Sequence, residues 1–486
     1  MADAGGAKRG DLTQGNIGPT LLRFALPTLA SSILQSLNGT INAIWVGRFL
    51  GENALAATSN ANMVMFLLTA FVFGFGMAST ILIGQYWGRR DVDGARRVFG
   101  TAGGSFLLIT ILIAAAGYAS SEGILTLLGT PEGAAPLALD YLQVIFLAMP
   151  ALLLLTLLMM ALRGAGDSMS PLWFMIVAVV LDSGLNPVFI LGLGPAPEMG
   201  IAGSAMATLI ANYAALLGMV VYIYLRDLPL RLRGSELRYL LPNGSILKTI
   251  VAKGLPMGIQ MIVISMSALA LIGLVNREGV ATAAAFGVAM QLWTYVQMPA
   301  MALGAAVSAM AAQNIGAGKW DRVGQVTRSG IVYTVGITAL LIIILTLADG
   351  VVLGLFMGSD SPALPIARHI HMLATWNFLL FGVTMVLFGT MRANGAVWGP
   401  LLILCVGLVP VRFGFIYAGY PRLDADAIWL SFPASSFVNL ALASAFYLHG
   451  GWRKAQMRVE DRPTEEECVE EAQATREPGG ALNPAG

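Results

Sequence analysis

Two ionisable side chains lie in apolar surroundings. Asp182 sits within Val179-Val180-Leu181-Asp182-Ser183-Gly184-Leu185-Asn186-Pro187, and the charged residues nearest it along the chain are Asp167 and Glu198. Arg412 is flanked as distantly, by Arg392 and Arg422. A charge at the centre of a membrane costs about 2.5–3.5 kcal/mol on insertion scales, so an ionisable residue placed there is a functional hypothesis by default. A carboxyl group in a low-dielectric cleft has its ionised form destabilised, which suits it to exchange a proton for a cation or to hold a sodium ion.

Neutral oxygens surround this acid in the sequence pattern. Asn186 follows Asp182 by four residues, on the same helix face. Gln35, Asn38 and Asn42, spaced three and four apart, give the first apolar run one polar stripe. Thr208, in the run that follows that of Asp182, adds a hydroxyl. Asp182, Asn186, Asn42 and Thr208 form the expected ion- or proton-coupling set, with the acid hydrogen-bonded to a neighbouring helix as the purely structural alternative. Gln35, Asn38, Met257 and Met261 are expected to line a substrate cleft, because flexible thioethers suit varied apolar ligands. Pro27 and Arg412 are assigned structural or cavity-shaping roles, with Arg412 packed against backbone carbonyls. His369 and His371 have no neighbouring acid or thiol in the sequence to complete a metal site, and Cys405 and Cys468 are expected to be unpaired.

Only 11% of the 486 residues are Asp, Glu, Lys or Arg, against roughly 25% in a soluble domain. With a mean hydropathy of +0.74, this composition excludes a water-facing surface and points to an all-α polytopic membrane protein. A net charge of +1 excludes a nucleic-acid partner. Hydropathy predicts twelve transmembrane helices near 19–46, 56–86, 97–119, 136–162, 169–193, 201–226, 248–275, 282–314, 324–348, 363–391, 397–418 and 425–449. The first run reads as a retained span, since its polar residues do not suit a signal core. A tail precedes the spans (1–18), a linker divides them (227–247), and an acidic, disordered tail follows (450–486). Placing both termini in the cytoplasm puts 23 of the 28 Lys and Arg on that side, four outside and Arg412 within a span, which predicts an inner-membrane protein with both ends inside.

The chain also repeats itself. Leu26-Pro27 recurs as Leu255-Pro256, Gln85-Tyr86-Trp87-Gly88 as Gln313-Asn314-Ile315-Gly316, Arg163-Gly164-Ala165-Gly166 as Arg392-Ala393-Asn394-Gly395, and Pro171 as Pro400. The offset is 228 or 229 residues throughout. Six spans per copy make the repeats parallel, as two six-helix lobes (19–226 and 248–449) around a central cleft, an architecture of secondary transporters. At an offset of 229, Asp182 and Asn186 fall on Val411 and Phe415, and Gln35, Asn38 and Asn42 on Ile264, Ser267 and Leu271. The first lobe is thus expected to be polar where the second is apolar. Gly100 and Gly104 fit a small-xxx-small helix contact. No phosphate-cradling loop with a following lysine, G-x-S-x-G or H-E-x-x-H is present, so neither a nucleotide-driven pump nor an enzyme is expected.

These residues resemble the multidrug and toxic compound extrusion (MATE) transporters over the whole span region. The resemblance rests on Leu26-Pro27, Ile44-Trp45-Val46-Gly47-Arg48-Phe49-Leu50-Gly51, Gly84-Gln85-Tyr86-Trp87-Gly88, Arg163-Gly164-Ala165-Gly166-Asp167, Asn186-Pro187-Val188-Phe189-Ile190, the 200–208 segment and Gln313-Asn314-Ile315-Gly316. It implies a V-shaped cleft and export of amphipathic or cationic compounds in exchange for H⁺ or Na⁺, with no other cofactor. Small molecules and membrane lipids are the implied partners, and the expected state is a monomer. Position by position, the family's acid in the first span falls on Asn42, and its Asn and Asp of the fifth span fall on Asp182 and Asn186 in reversed order. Acids that some members carry in the seventh and tenth spans are replaced here by apolar residues. Two other readings are a lipid-linked saccharide flippase, which needs more than one basic residue in its cleft, and a non-transporting membrane scaffold.

Overall fold

The computed structural model describes residues 10–457 except 128, 131, 132, 195 and 358–360. Its first half contains α1 (Ile17–Leu50), α2 (Glu52–Gly88), α3 (Val92–Ala119), the short α4 (Ser121–Leu127), α5 (Ala135–Gly164), α6 (Met169–Leu191) and α7 (Gly200–Leu225). The second half contains α8 (Gly244–Val275), α9 (Val280–Gly316), α10 (Trp320–Leu347), α11 (Asp349–Met357), α12 (Leu364–Ala374), α13 (Asn377–Ala393), α14 (Trp398–Val406), α15 (Arg412–Leu423) and α16 (Asp426–His449). Among the described residues, eleven helical stretches are long and apolar enough to cross a membrane, and α12 and α13, bent by 45° at their junction, complete twelve. Helices dominate because a backbone in lipid must satisfy its own hydrogen bonds.

The two halves meet about a pseudo-twofold axis, and the repeated motifs lie on it. A Cβ on Gly88 would fall 1.9 Å from the carbonyl oxygen of Gln313, and one on Gly316 would fall 2.0 Å from that of Gln85. Only hydrogen at both positions lets α2 and α9 cross this closely. Gln85 Nε2 donates to the carbonyl of Ala393 at 2.7 Å, and Gln313 Nε2 donates to that of Gly164 at 3.1 Å, reciprocal bonds between equivalent residues. Gly74 and Gly254 bring α2 and α8 together in the same way. Leu12, Leu21, Phe24 and Ala25 pack with Leu303, Ala306 and Val307 of α9. These contacts concentrate in the half of the bundle nearest the described chain ends.

The expected tails and linker are more structured than their composition suggests. Leu12 and Thr13 are buried, and Leu12 N donates to Gln313 Oε1 at 2.9 Å. After the last span, Trp452 is buried and stacked on Tyr447, and Asn394 donates to the carbonyls of Trp452 and Arg453. Gly166 and Gly395, equivalent positions with φ of +85° in each, receive these ends: Gly10 packs on the first and Met457 on the second. The acidic stretch from 458 onward lies outside the described residues. The linker forms a 3-10 turn (Gly234–Leu240) clamped to α3 by Arg96, which pairs with Glu236 at 2.8 Å and donates to the carbonyl of Pro229. Within it, the hydrogen bond from Arg233 holds the Asp227 carboxyl below the usual carboxylate range. Gly100 and Gly104 do form a close contact, but with Tyr239 and Leu240 of this turn rather than with another span.

Two outcomes follow from these approaches. Gly316→Ala should lower stability by about 1–3 kcal/mol, as overpacking does, whereas Gly324→Ala, with nothing within 4 Å of its Cβ, should leave the thermal midpoint in detergent unchanged or raised. Gly104→Leu should lift the linker from α3 and speed tryptic cleavage at Arg231, Arg233 and Arg238, while Gly103→Leu, which meets nothing within 4 Å, keeps the wild-type cleavage rate.

Candidate functional site

Asp182 is 1% exposed, and among the described residues it is the one buried Asp or Glu. Its carboxylate accepts four hydrogen bonds from three helices. Asn38 and Asn42 of α1 donate to Oδ2 at 2.7 and 2.9 Å. Thr208 of α7 donates to Oδ1 at 3.0 Å, and Asn186, one turn along α6, does so at 3.2 Å. Asn186 also donates to Asn42 Oδ1 at 3.0 Å. All four members of the expected coupling set are therefore joined. Asn38, expected in a substrate cleft, belongs with them because its three- and four-residue spacing puts it on the same α1 face as Asn42.

Two features suit this cluster to an ion. A carboxylate has about four acceptor positions, and neutral donors fill them without a cation. The side-chain oxygens of Asn38 and Asn186 meanwhile have no hydrogen-bond partner. A proton on Asp182 would require only that the Thr208 hydroxyl turn from donor to acceptor. A sodium ion would require amide oxygens to turn inward, and hard oxygens of this kind are its preferred ligands.

The remaining expected residues separate. Gln35 is exposed and lies outside this set of bonds. Met257 is fully buried in the core shared by both halves and so lines no cleft, while Met261 is half-buried and does not line the cavity described below. Pro27 is buried within α1, where it removes a helix hydrogen bond, and Ser31 Oγ donates to its carbonyl at 2.8 Å. His369 has an acidic neighbour after all, Asp426 at 2.8 Å, which the sequence distance of 57 residues concealed. Among the described residues no group of His, Cys, Asp and Glu could hold a metal.

The second lobe carries a charge opposite Asp182 where an apolar residue was expected, and one backbone turn explains why. Gly407–Val411 forms a π-helical turn between α14 and α15. A π-turn takes one residue more than an α-helical turn, so the equivalent of Asp182 moves from Val411 to Arg412. The contacts agree with this shift. Arg412 Nη1 donates to Ser267 Oγ at 3.4 Å, and Ser267 is the equivalent of Asn38. Nη2 donates to Ser435 Oγ at 3.0 Å on α16, the helix equivalent to the one that carries Thr208. Arg412 thus bonds hydroxyls rather than the backbone carbonyls expected for it, and its guanidinium lies 4.6 Å from the centroid of the Phe432 ring. The two lobes hold polar clusters at corresponding positions with opposite charge. Sequence reasoning placed Ser267 opposite Asn38 but missed Ser435 and the one-residue shift, because no repeated motif follows Pro400.

A family model described as MatE matches residues 27–188 and 256–418. Its two matches lie 229 to 230 residues apart, close to the offset of the repeated motifs. Over 452 residues the chain is 37% identical to "Probable multidrug resistance protein YoeA" of Bacillus subtilis (strain 168), covering 92% of this chain and 97% of that one. It is 24% identical over 433 residues to "Multidrug export protein MepA" of Staphylococcus aureus (strain MRSA252), covering 88% and 93%. A solved structure described as "Outward-facing conformation of a multidrug resistance MATE family transporter of the MOP superfamily" shares the fold with a TM-score of 0.83 at 20% identity, covering 91% of this chain and 98% of that one. With both repeats matched and nearly the full length of these relatives covered, the chain belongs to the MATE family of multidrug efflux transporters.

Proposed function

We propose that this protein is a secondary active antiporter that exports amphipathic, cationic compounds across the inner membrane in exchange for H⁺ or Na⁺. The observation that carries the reading is the buried Asp182 carboxylate, held by donors from α1, α6 and α7. Two of those donors are on α1, and the same helix runs past Pro27 to pack its first turns on α9 of the other lobe. Loading the acid changes the bonds that hold the far half of α1, while its near half is anchored across the interface. Ion occupancy is thereby tied to how the lobes sit against each other. With the termini in the cytoplasm, the lobes are joined on the cytoplasmic side and the cleft faces outward, where the arriving ion weakens drug binding. The protein works in this reading as a monomer.

Asp182→Asn keeps the size and most hydrogen bonds of the side chain but can neither ionise nor carry a proton. In proteoliposomes it should reduce gradient-driven efflux of a cationic dye to the level of empty liposomes at unchanged expression, and full retained transport would refute the assignment. The coupling ion is read by adding substrate to wild-type liposomes without a gradient. Release of H⁺ followed with a pH dye, or of Na⁺ followed with a radiotracer, identifies it, and Asp182→Asn should abolish whichever is seen. Substrate movement with neither ion released would exclude antiport.

A further inference from the structure

Arg412 differs from its counterpart in more than charge: its hydrogen-bonding capacity is largely unfilled. Of the five N–H donors of a guanidinium, two have partners, both uncharged hydroxyls, and Nε has none. The residue is 8% exposed, and among the described residues no carboxylate lies within ion-pair range of it. A buried cation left in that state is expensive, and a fixed anion is the ordinary remedy.

The described residues supply no anion there, but they supply space for one. Arg412 lines a cavity of about 190 Å³ within the second lobe, walled by Trp293, Phe378, Phe381 and Phe432, with uncharged polar side chains such as Gln297 and Asn439 also in its lining. Its lining contains no Asp, Glu, Lys or His. Trp293 and Phe432 meet edge to face at 4.9 Å, which leaves ring faces as walls. The Phe432 ring covers one face of the guanidinium, leaving its in-plane N–H groups for a planar oxyanion, the geometry in which arginine binds carboxylates two-pronged. A cavity of roughly 150 Å³ accepts benzene, so this one has the size for a single aromatic ring bearing a carboxylate. It is far below the several hundred Å³ of a typical drug pocket, which excludes a whole phospholipid.

We infer that the second-lobe cavity is a binding site for an aromatic carboxylate, free or as the end group of a larger amphiphile, with Arg412 as its charge partner. The site lies in the opposite lobe from Asp182 and takes the opposite charge.

The test uses the full chain in phosphatidylcholine nanodiscs, titrated with 4-fluorobenzoate and followed by fluorine NMR. 4-Fluorobenzamide serves as the neutral match and 4-fluorobenzylammonium as the charge-reversed one. Benzoate should bind the wild type and lose about tenfold or more in affinity in Arg412→Gln, as removal of a charge-assisted pair predicts, while benzamide binds both alike. Ala268→Phe, at another lining position, fills the cavity with Arg412 left in place and should abolish benzoate binding, which keeps the test available if Arg412→Gln fails to fold. The inference is overturned by equal benzoate affinity in wild type and both variants, by tighter binding of the benzylammonium, or by competition from chloride or phosphatidylglycerol as strong as that from unlabelled benzoate. The readout is equilibrium binding with no gradient, so its failure would leave the Asp182 assignment standing, and failure of ion-coupled efflux would leave this site standing.

Discussion

The structure depends on one crossing, where α2 and α9 approach so closely that neither Gly88 nor Gly316 has room for a Cβ. Each glycine faces the backbone carbonyl of the glutamine three residues before the other, and those glutamines reach in opposite directions to the ends of α13 and α5. This arrangement is self-complementary, as a contact on a twofold axis must be. It places each lobe by the same residues that place its partner. The cleft, the two polar clusters and the docking of both chain ends derive their positions from it, since Gln313 also receives Leu12 and the motif after α13 receives Met457.

Against that symmetry, the π-turn at Gly407–Val411 is the departure that sets the second polar cluster. Pro410 lies within it and donates no hydrogen bond, and Gly407 accommodates the Asn439 side chain where a Cβ would stand 2.0 Å from Oδ1. One added residue rotates the rest of the span by about a third of a turn relative to its counterpart. The position that holds an acid in the first lobe is thereby filled by the arginine. Two lobes built on one plan present opposite charges through a change in backbone count rather than through a different fold.

Much of this was legible in the sequence, and the rest was hidden for definable reasons. Span number, the parallel repeat and the partners Asn42, Asn186 and Thr208 followed from periodicity, constant offset and the scarcity of charge. A constant offset assumes an unbroken helix, so it could not register the π-turn, and the second lobe therefore read as apolar at Val411. Methionine frequency suggested a cleft at Met257, but composition does not say which face of a helix points inward, and that side chain is wholly buried. The polar composition of the linker marked it as a connection between lobes and carried no sign of its docking on α3. Its docking rests on Gly100 and Gly104, whose spacing also fits the span-to-span contact that was expected.

The two clusters also differ in what they require when empty, and this bears on the transport cycle. Both oxygens of Asp182 accept hydrogen bonds from neutral donors, so its acceptor positions are filled without a bound cation. In the proposed exchange a sodium ion would displace hydrogen bonds worth about 1.5–3 kcal/mol each to a charged group, including those from Asn38 and Asn42 on the far half of α1, whereas a proton would weaken them by neutralising the group that accepts them. The near half of α1 is packed on α9 beside the glycine crossing, and Pro27 interrupts the hydrogen-bond ladder between the two halves. An event at Asp182 therefore reaches the interface through one helix with a break at a fixed place. Separation of the lobes on that side has to break the Gln85 and Gln313 bonds, each worth about 1 kcal/mol net. Parting would also expose the packing of α1 on α9 and the glycine crossing, so in the proposed cycle loading of Asp182 acts on the interface as a bias transmitted through α1.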